Sequence, residues 1–138
     1  MVMLGLTFQV QAFDKSEVNL DEIFWGTWTI YNAEDKCLET YQFTKPSTFQ
    51  YLSLQKRMQG DFAVLRNTQE VADLDILKLR VVTDNQKASC ADRAQVSDYR
   101  NADLSLALKW ITKGAAQLCA DIKGNHCSNL YMVKKENK

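Results

Sequence analysis

The chain has 138 residues, the size of one ordinary domain, and its 17 Lys and Arg balance 17 Asp and Glu. A formal net charge of zero gives no reason to expect nucleic acid as a partner, and 46% hydrophobic residues exclude a disordered, solvating chain. One histidine, His126, against four cysteines rules out metal centres that need two histidines.

Residues 1–10 are nearly all apolar, and Val10-Gln11-Ala12 forms a small-x-small pattern ahead of a charged stretch. This reads as the apolar core and cleavage site of a secretory signal peptide, without its basic flank. Residues 1–12 are thus expected to be a signal-peptide remnant and residues 13–138 one domain. The alternative is an N-terminal strand or helix packed on that domain. No stretch approaches the ~18 apolar residues of a membrane span. Cys37, Cys90, Cys119 and Cys127 form no CxxC pair, so their even number reads as two disulfides rather than a zinc site. Both readings point to a periplasmic or secreted protein, and no metal or cofactor is expected.

Residues 16–24 carry Leu20, Ile23 and Phe24 at helical spacing behind Ser16, a capping residue. A short helix is expected there. Strands are expected at 25–31, 37–44, 48–56, 59–67, 73–83, 104–111, 115–122 and 128–133. Polar or turn-forming runs such as Lys45-Pro46-Ser47 separate them. Alternation is clearest at Leu104, Leu106, Leu108 and Trp110, and Leu77, Leu79 and Val81 follow the same period. An amphipathic helix competes over 73–83, because its Leu, Lys and Arg suit one. A long polar stretch occupies 86–103. The other connections are short, which suits antiparallel neighbours. Eight such strands close most naturally into an up-and-down barrel without exposed edges; a two-sheet β-sandwich is the runner-up.

The segment Phe24-Trp25-Gly26-Thr27-Trp28 places Gly-x-Trp on the first strand behind a helical turn. Together with Cys37-Leu38-Glu39-Thr40-Tyr41-Gln42-Phe43, it resembles the small exported bacterial lipocalin-like domains of the calycin barrels. The resemblance implies an eight-stranded barrel whose closed end is plugged by the Trp28 ring, with ligands received at the other rim. Thr83-Asp84-Asn85 lacks the tyrosine of the lipocalin Thr-Asp-Tyr, and Lys134 or Lys135 stands where that family has an arginine. In such a barrel all four cysteines would gather at one rim. Cys119 and Cys127 flank a hairpin and could bridge across it, leaving Cys37–Cys90 to pin the long connection. The pairing Cys37–Cys127 with Cys90–Cys119 stays open.

A nucleophilic site would have to use His126, which falls in a hairpin turn, and there is no GxSxG elbow or Gly-rich phosphate loop. Asp73 and Asp75, and Asp21 and Glu22, read as solvated acidic pairs, and Lys56, Arg57, Arg93 and Arg100 are scattered. No enzymatic activity is expected. The aromatic strand positions Trp28, Tyr41, Phe43, Phe49, Tyr51 and Trp110 are the candidate lining for a small hydrophobic or amphipathic ligand. They also suit a barrel that is simply filled. A protein partner, bound as by an inhibitor or immunity protein through disulfide-pinned rim loops, is the alternative.

Overall fold

The computed structural model describes residues 13–32, 34, 36–91, 93, 94 and 96–136. The signal-peptide reading of residues 1–12 lies outside them. Eight strands follow in order: β1 (Gly26–Asn32), β2 (Glu39–Thr44), β3 (Thr48–Ser53), β4 (Lys56–Leu65), β5 (Asp75–Asp84), β6 (Asp103–Thr112), β7 (Ala115–Cys119) and β8 (Cys127–Lys134). Each pairs antiparallel with the next, and β8 pairs with β1, which closes the barrel. The architecture is compatible with a lipocalin-like fold, and the sandwich is excluded. Residues 75–84 are a strand because Leu77, Leu79 and Val81 alternate inward; the helical alternative is also excluded.

The expected single helix does not form. A 3-10 turn, Lys15–Glu17, is followed by one α-turn, Leu20–Ile23. Val18 and Asn19 between them are extended, and the caps are Asp14 and Asn19 rather than Ser16. The expected boundary between the third and fourth strands also moves. A turn at Leu54 and Gln55 separates β3 from β4, so Lys56 opens β4 instead of ending β3. Leu54 takes the left-handed conformation there (φ 53°), without the Gly or Asn that usually marks such a turn.

One end of the barrel is closed by aromatic rings. Phe24 lies at the hub, 5.5 Å from the Trp28 ring, 5.6 Å from Phe43 and 6.1 Å from Trp110. Trp28 is fully buried, and its Nε1 donates to the Phe24 carbonyl at 3.1 Å. Lys134 stands opposite Trp28 in the β1–β8 register, and its Nζ donates to the Ile23 carbonyl at 2.8 Å. A lysine therefore ties the last strand to the N-terminal turn. Arg66 completes the closure. It grips the buried Asp75 carboxylate at 3.0 and 2.8 Å and donates to the carbonyls of Lys15 and Val18. The second Asp75 oxygen also accepts the Trp110 indole N–H at 2.8 Å.

Gly26 and Gly60 are required for different reasons. Gly26 has φ +119°, so its need is conformational rather than one of crowding. Gly60 sits at a register shift in β4, where a Cβ would lie 1.9 Å from the Arg80 carbonyl oxygen. The substitution Gly60→Ala should cost about 2 kcal/mol or more, because backbone must move to admit the methyl group. Gly114→Ala, which meets nothing closer than 3.8 Å, should change stability by about 0.5 kcal/mol at most. Urea unfolding of the two variants measures the difference.

Candidate functional site

The half of the barrel away from the aromatic plug is not filled. A cavity of about 260 Å³ opens between β2 and β6. Its floor is Met58 and Leu79, both buried, with Tyr41 and Tyr51 beside them and Glu39 at the rim. Ser89, Ala91 and Tyr99 of the long β5–β6 connection form the roof.

The cavity exists because β7 is short. Strand β6 pairs with β5 along 103–108, but its pairing with β7 reaches only Ala107, opposite Cys119. Among the described residues, Leu104 and Leu106 therefore have no strand on that side and remain half-buried at the opening. The expected strand at 115–122 stops at Cys119 because the following residues turn away. The Leu74 N–H donates to the Ile122 carbonyl at 2.8 Å, and Lys123 pairs with Asp73. Ala107 and Cys119 point outward by strand alternation yet are buried.

The disulfides are Cys37–Cys90 and Cys119–Cys127. All four cysteines lie in or beside the β1–β2, β5–β6 and β7–β8 connections, which the up-and-down order puts at one end of the barrel, as expected. Cys37–Cys90 joins the β1–β2 connection to the long strap at 85–102. Cys119–Cys127 closes the turn that is bonded to the residues just before β5.

The strap is held by a buried ion pair. Lys56 is 1% exposed, with its Nζ 2.8 and 2.9 Å from the two oxygens of Asp84 and 3.1 Å from the Ser97 carbonyl. The same carboxylate accepts the N–H groups of Gln86 and Tyr99, each at 2.8 Å. The Lys56 ammonium also lies 5.2 Å from the Tyr99 ring centre. Closer to the disulfide, the Cys90 N–H donates to the Ser53 hydroxyl at 2.8 Å.

Burial works against ionisation of Asp84, but the Lys56 ammonium and the two backbone N–H groups outweigh it and hold its carboxyl below the ordinary Asp value. Burial raises the phenols of Tyr41 and Tyr51 far above their ordinary value, and the Glu39 carboxylate adds to both shifts. Both phenols are therefore neutral at physiological pH. The Tyr51 hydroxyl donates to Glu39. Among the described residues, Glu39 forms no ion pair.

Of the six candidate lining residues, Tyr41 and Tyr51 reach the cavity. Trp28, Phe43, Phe49 and Trp110 are buried in the packed core. Tyr41 joins the two regions, with its ring 5.9 Å from Phe43 and 4.9 Å from Tyr51. Sequence reasoning did not pick out Glu39, Met58, Leu79, Leu104, Leu106 or Tyr99 as site residues. Lys56 was also missed as an interior residue, although it shares the period-two face of Met58 and Gly60. His126 is exposed, its backbone N–H donates to Asp121 at 2.8 Å, and all four cysteines are in disulfides. Among the described residues, no cluster of three or more His, Cys, Asp or Glu could hold a metal ion. No helix of the described residues is long and apolar enough to cross a membrane.

Removing one partner of the buried pair should be costly, whereas removing both should not. Lys56→Met should lose about 3–5 kcal/mol in urea unfolding, and Lys56→Met with Asp84→Leu should recover most of that loss. The depressed Asp84 value gives the pH sign. Its stabilisation is present above the ordinary Asp range and lost as pH falls through the lowered folded value, so Asp84→Asn should remove part of the acid-side slope of stability.

Set against protein-family models, curated proteins and solved structures, the chain matches none.

Proposed function

We propose that the chain is a non-enzymatic, exported binding protein, lipocalin-like in build, that holds a small hydrophobic or amphipathic ligand. The observation that carries this reading is the cavity itself, with apolar walls, a few polar groups at its mouth and a pinned roof. Its volume of about 260 Å³ lies just below the ~300–1,000 Å³ of drug-sized sites and opens beside Leu104 and Leu106. A short-chain ligand with its polar end at the rim fits those dimensions. The Gly26-x-Trp28 entry into a closed eight-stranded barrel supports kinship with the calycin barrels. Two disulfides support a periplasmic or secreted location.

A second reading, protein binding at the rim, has its own support. Leu38 and Leu54 are 61% and 52% exposed beside the Cys37–Cys90 bridge, on neighbouring strand ends. Gel filtration with exported hydrolases tests it, and a co-eluting complex lost on Leu38→Asp would favour it over the ligand reading.

The ligand reading is tested with octanol, titrated into the intact protein and followed by NMR shifts of the lining residues. Saturable one-to-one binding is expected. Leu106→Trp should weaken it at least tenfold, equivalent to about 1.4 kcal/mol, while the fold is retained. Shifts that do not saturate, or that ignore the Trp side chain, would count against the cavity as the site.

A further inference from the structure

Among the described residues, two charged ones line the cavity, Glu39 and Lys56. The Lys56 charge is already answered: both oxygens of Asp84 lie within 2.9 Å of its Nζ, and the Ser97 carbonyl takes a further hydrogen. The charge left to the cavity is the Glu39 carboxylate. It is half-buried and receives one hydrogen bond, from the Tyr51 hydroxyl, with no cation beside it among the described residues. An ionised carboxylate has about four acceptor sites, so a donor on a ligand can still be accommodated.

The groups around Glu39 favour a positive charge. Tyr41 and Tyr51 lie with ring centres 4.9 Å apart, and Tyr99 completes an aromatic roof. Aromatic faces attract cations, and they do so more strongly where water is excluded. Tyr99 already presents its ring to one ammonium, that of Lys56, at 5.2 Å. Beyond these rings the wall is mostly apolar, Met58, Leu79, Leu104 and Leu106, with Ser89 and Ser105 among them.

We propose that the cavity selects a protonated amine carrying a short apolar tail, with its ammonium paired to Glu39 among the tyrosines and its tail on Leu79 and Leu106. This rests on the cavity being the ligand site. An anionic amphiphile would set two carboxylates against each other, since among the described lining residues the one cation, Lys56, is already paired with Asp84. A neutral one would leave Glu39 partly desolvated and unpaired, which is unfavourable for a charge.

The test uses three probes of one chain length, octylammonium, octanol and octanoate, titrated calorimetrically into the intact protein at pH 7. Octylammonium is expected to bind at least tenfold more tightly than octanol, and octanoate more weakly than either. Glu39→Gln should bring octylammonium down to the affinity of octanol and leave octanol unchanged, which also shows that the variant is folded. Tyr51→Phe keeps the carboxylate and should retain the preference for the ammonium. Octanol binding as tightly as octylammonium, or a preference that survives Glu39→Gln, overturns amine selection and leaves the ligand reading standing. If none of the three probes binds, both readings fall.

Discussion

The buried Lys56–Asp84 ion pair is the constraint on which the open half of the barrel depends. A lysine ammonium that is 1% exposed cannot remain without a counter-charge, since the cost of one unpaired buried charge is several kcal/mol. Asp84, at the end of β5, meets that need and has lone pairs to spare. They accept the N–H groups of Gln86 and Tyr99, near the two ends of the strap, while the Lys56 ammonium donates to the Ser97 carbonyl. One pair of charges thus determines where an 18-residue polar connection lies (positions 85–102). The Cys37–Cys90 bridge ties the same connection to the β1–β2 corner. Because it spans 53 residues rather than 8, chain-entropy arguments assign it about 4 kcal/mol against about 2.5 for Cys119–Cys127. The stronger restraint is the one on the roof.

The interior divides according to side-chain size. An eight-stranded barrel has just enough width for its side chains to fill it. At the closed end Phe24, Trp28, Phe43 and Trp110 do so, and Arg66, Lys134 and Asp75 anchor the N-terminal turns across them. At the other end the inward positions hold smaller or narrower groups, Met58, Leu79 and Leu106, and the wall lacks a strand beside β6. The strap stands in for that missing filling without occupying it. The cavity follows from the early stop of β7, which in turn follows from the bonding of residues 122–123 to the β5 end.

Much of the architecture was legible in the sequence because period-two alternation is a local signal. Leu104 to Trp110 and Leu77 to Val81 announce their strands and faces directly, and Gly26-x-Trp28 marks the plugged end. The site was less legible, and for physical reasons. Aromatic residues were taken as candidate lining, but large rings are what fill a barrel, so Trp28, Phe43, Phe49 and Trp110 went to the core. The true walls are mostly aliphatic residues that look like any core position. The turn at Leu54 carries no glycine or asparagine, so β3 was read through it and Lys56 was left among solvated charges. The outward bend after Cys119 depends on contacts with Asp73 and Leu74, some fifty residues away, which no local pattern announces. The strand order does bring the four cysteines to one end of the barrel, where Cys37–Cys90 clamps the strap and Cys119–Cys127 clamps the β7–β8 turn.

The central claim is that the space under the strap receives a ligand. Its most direct test is intermolecular nuclear Overhauser effects between the octyl chain of octylammonium and the protein methyl groups. The account predicts contacts to Met58, Leu79 and Leu106. Contacts confined to outward-facing methyls, such as those of Val82 and Ile111, would contradict it.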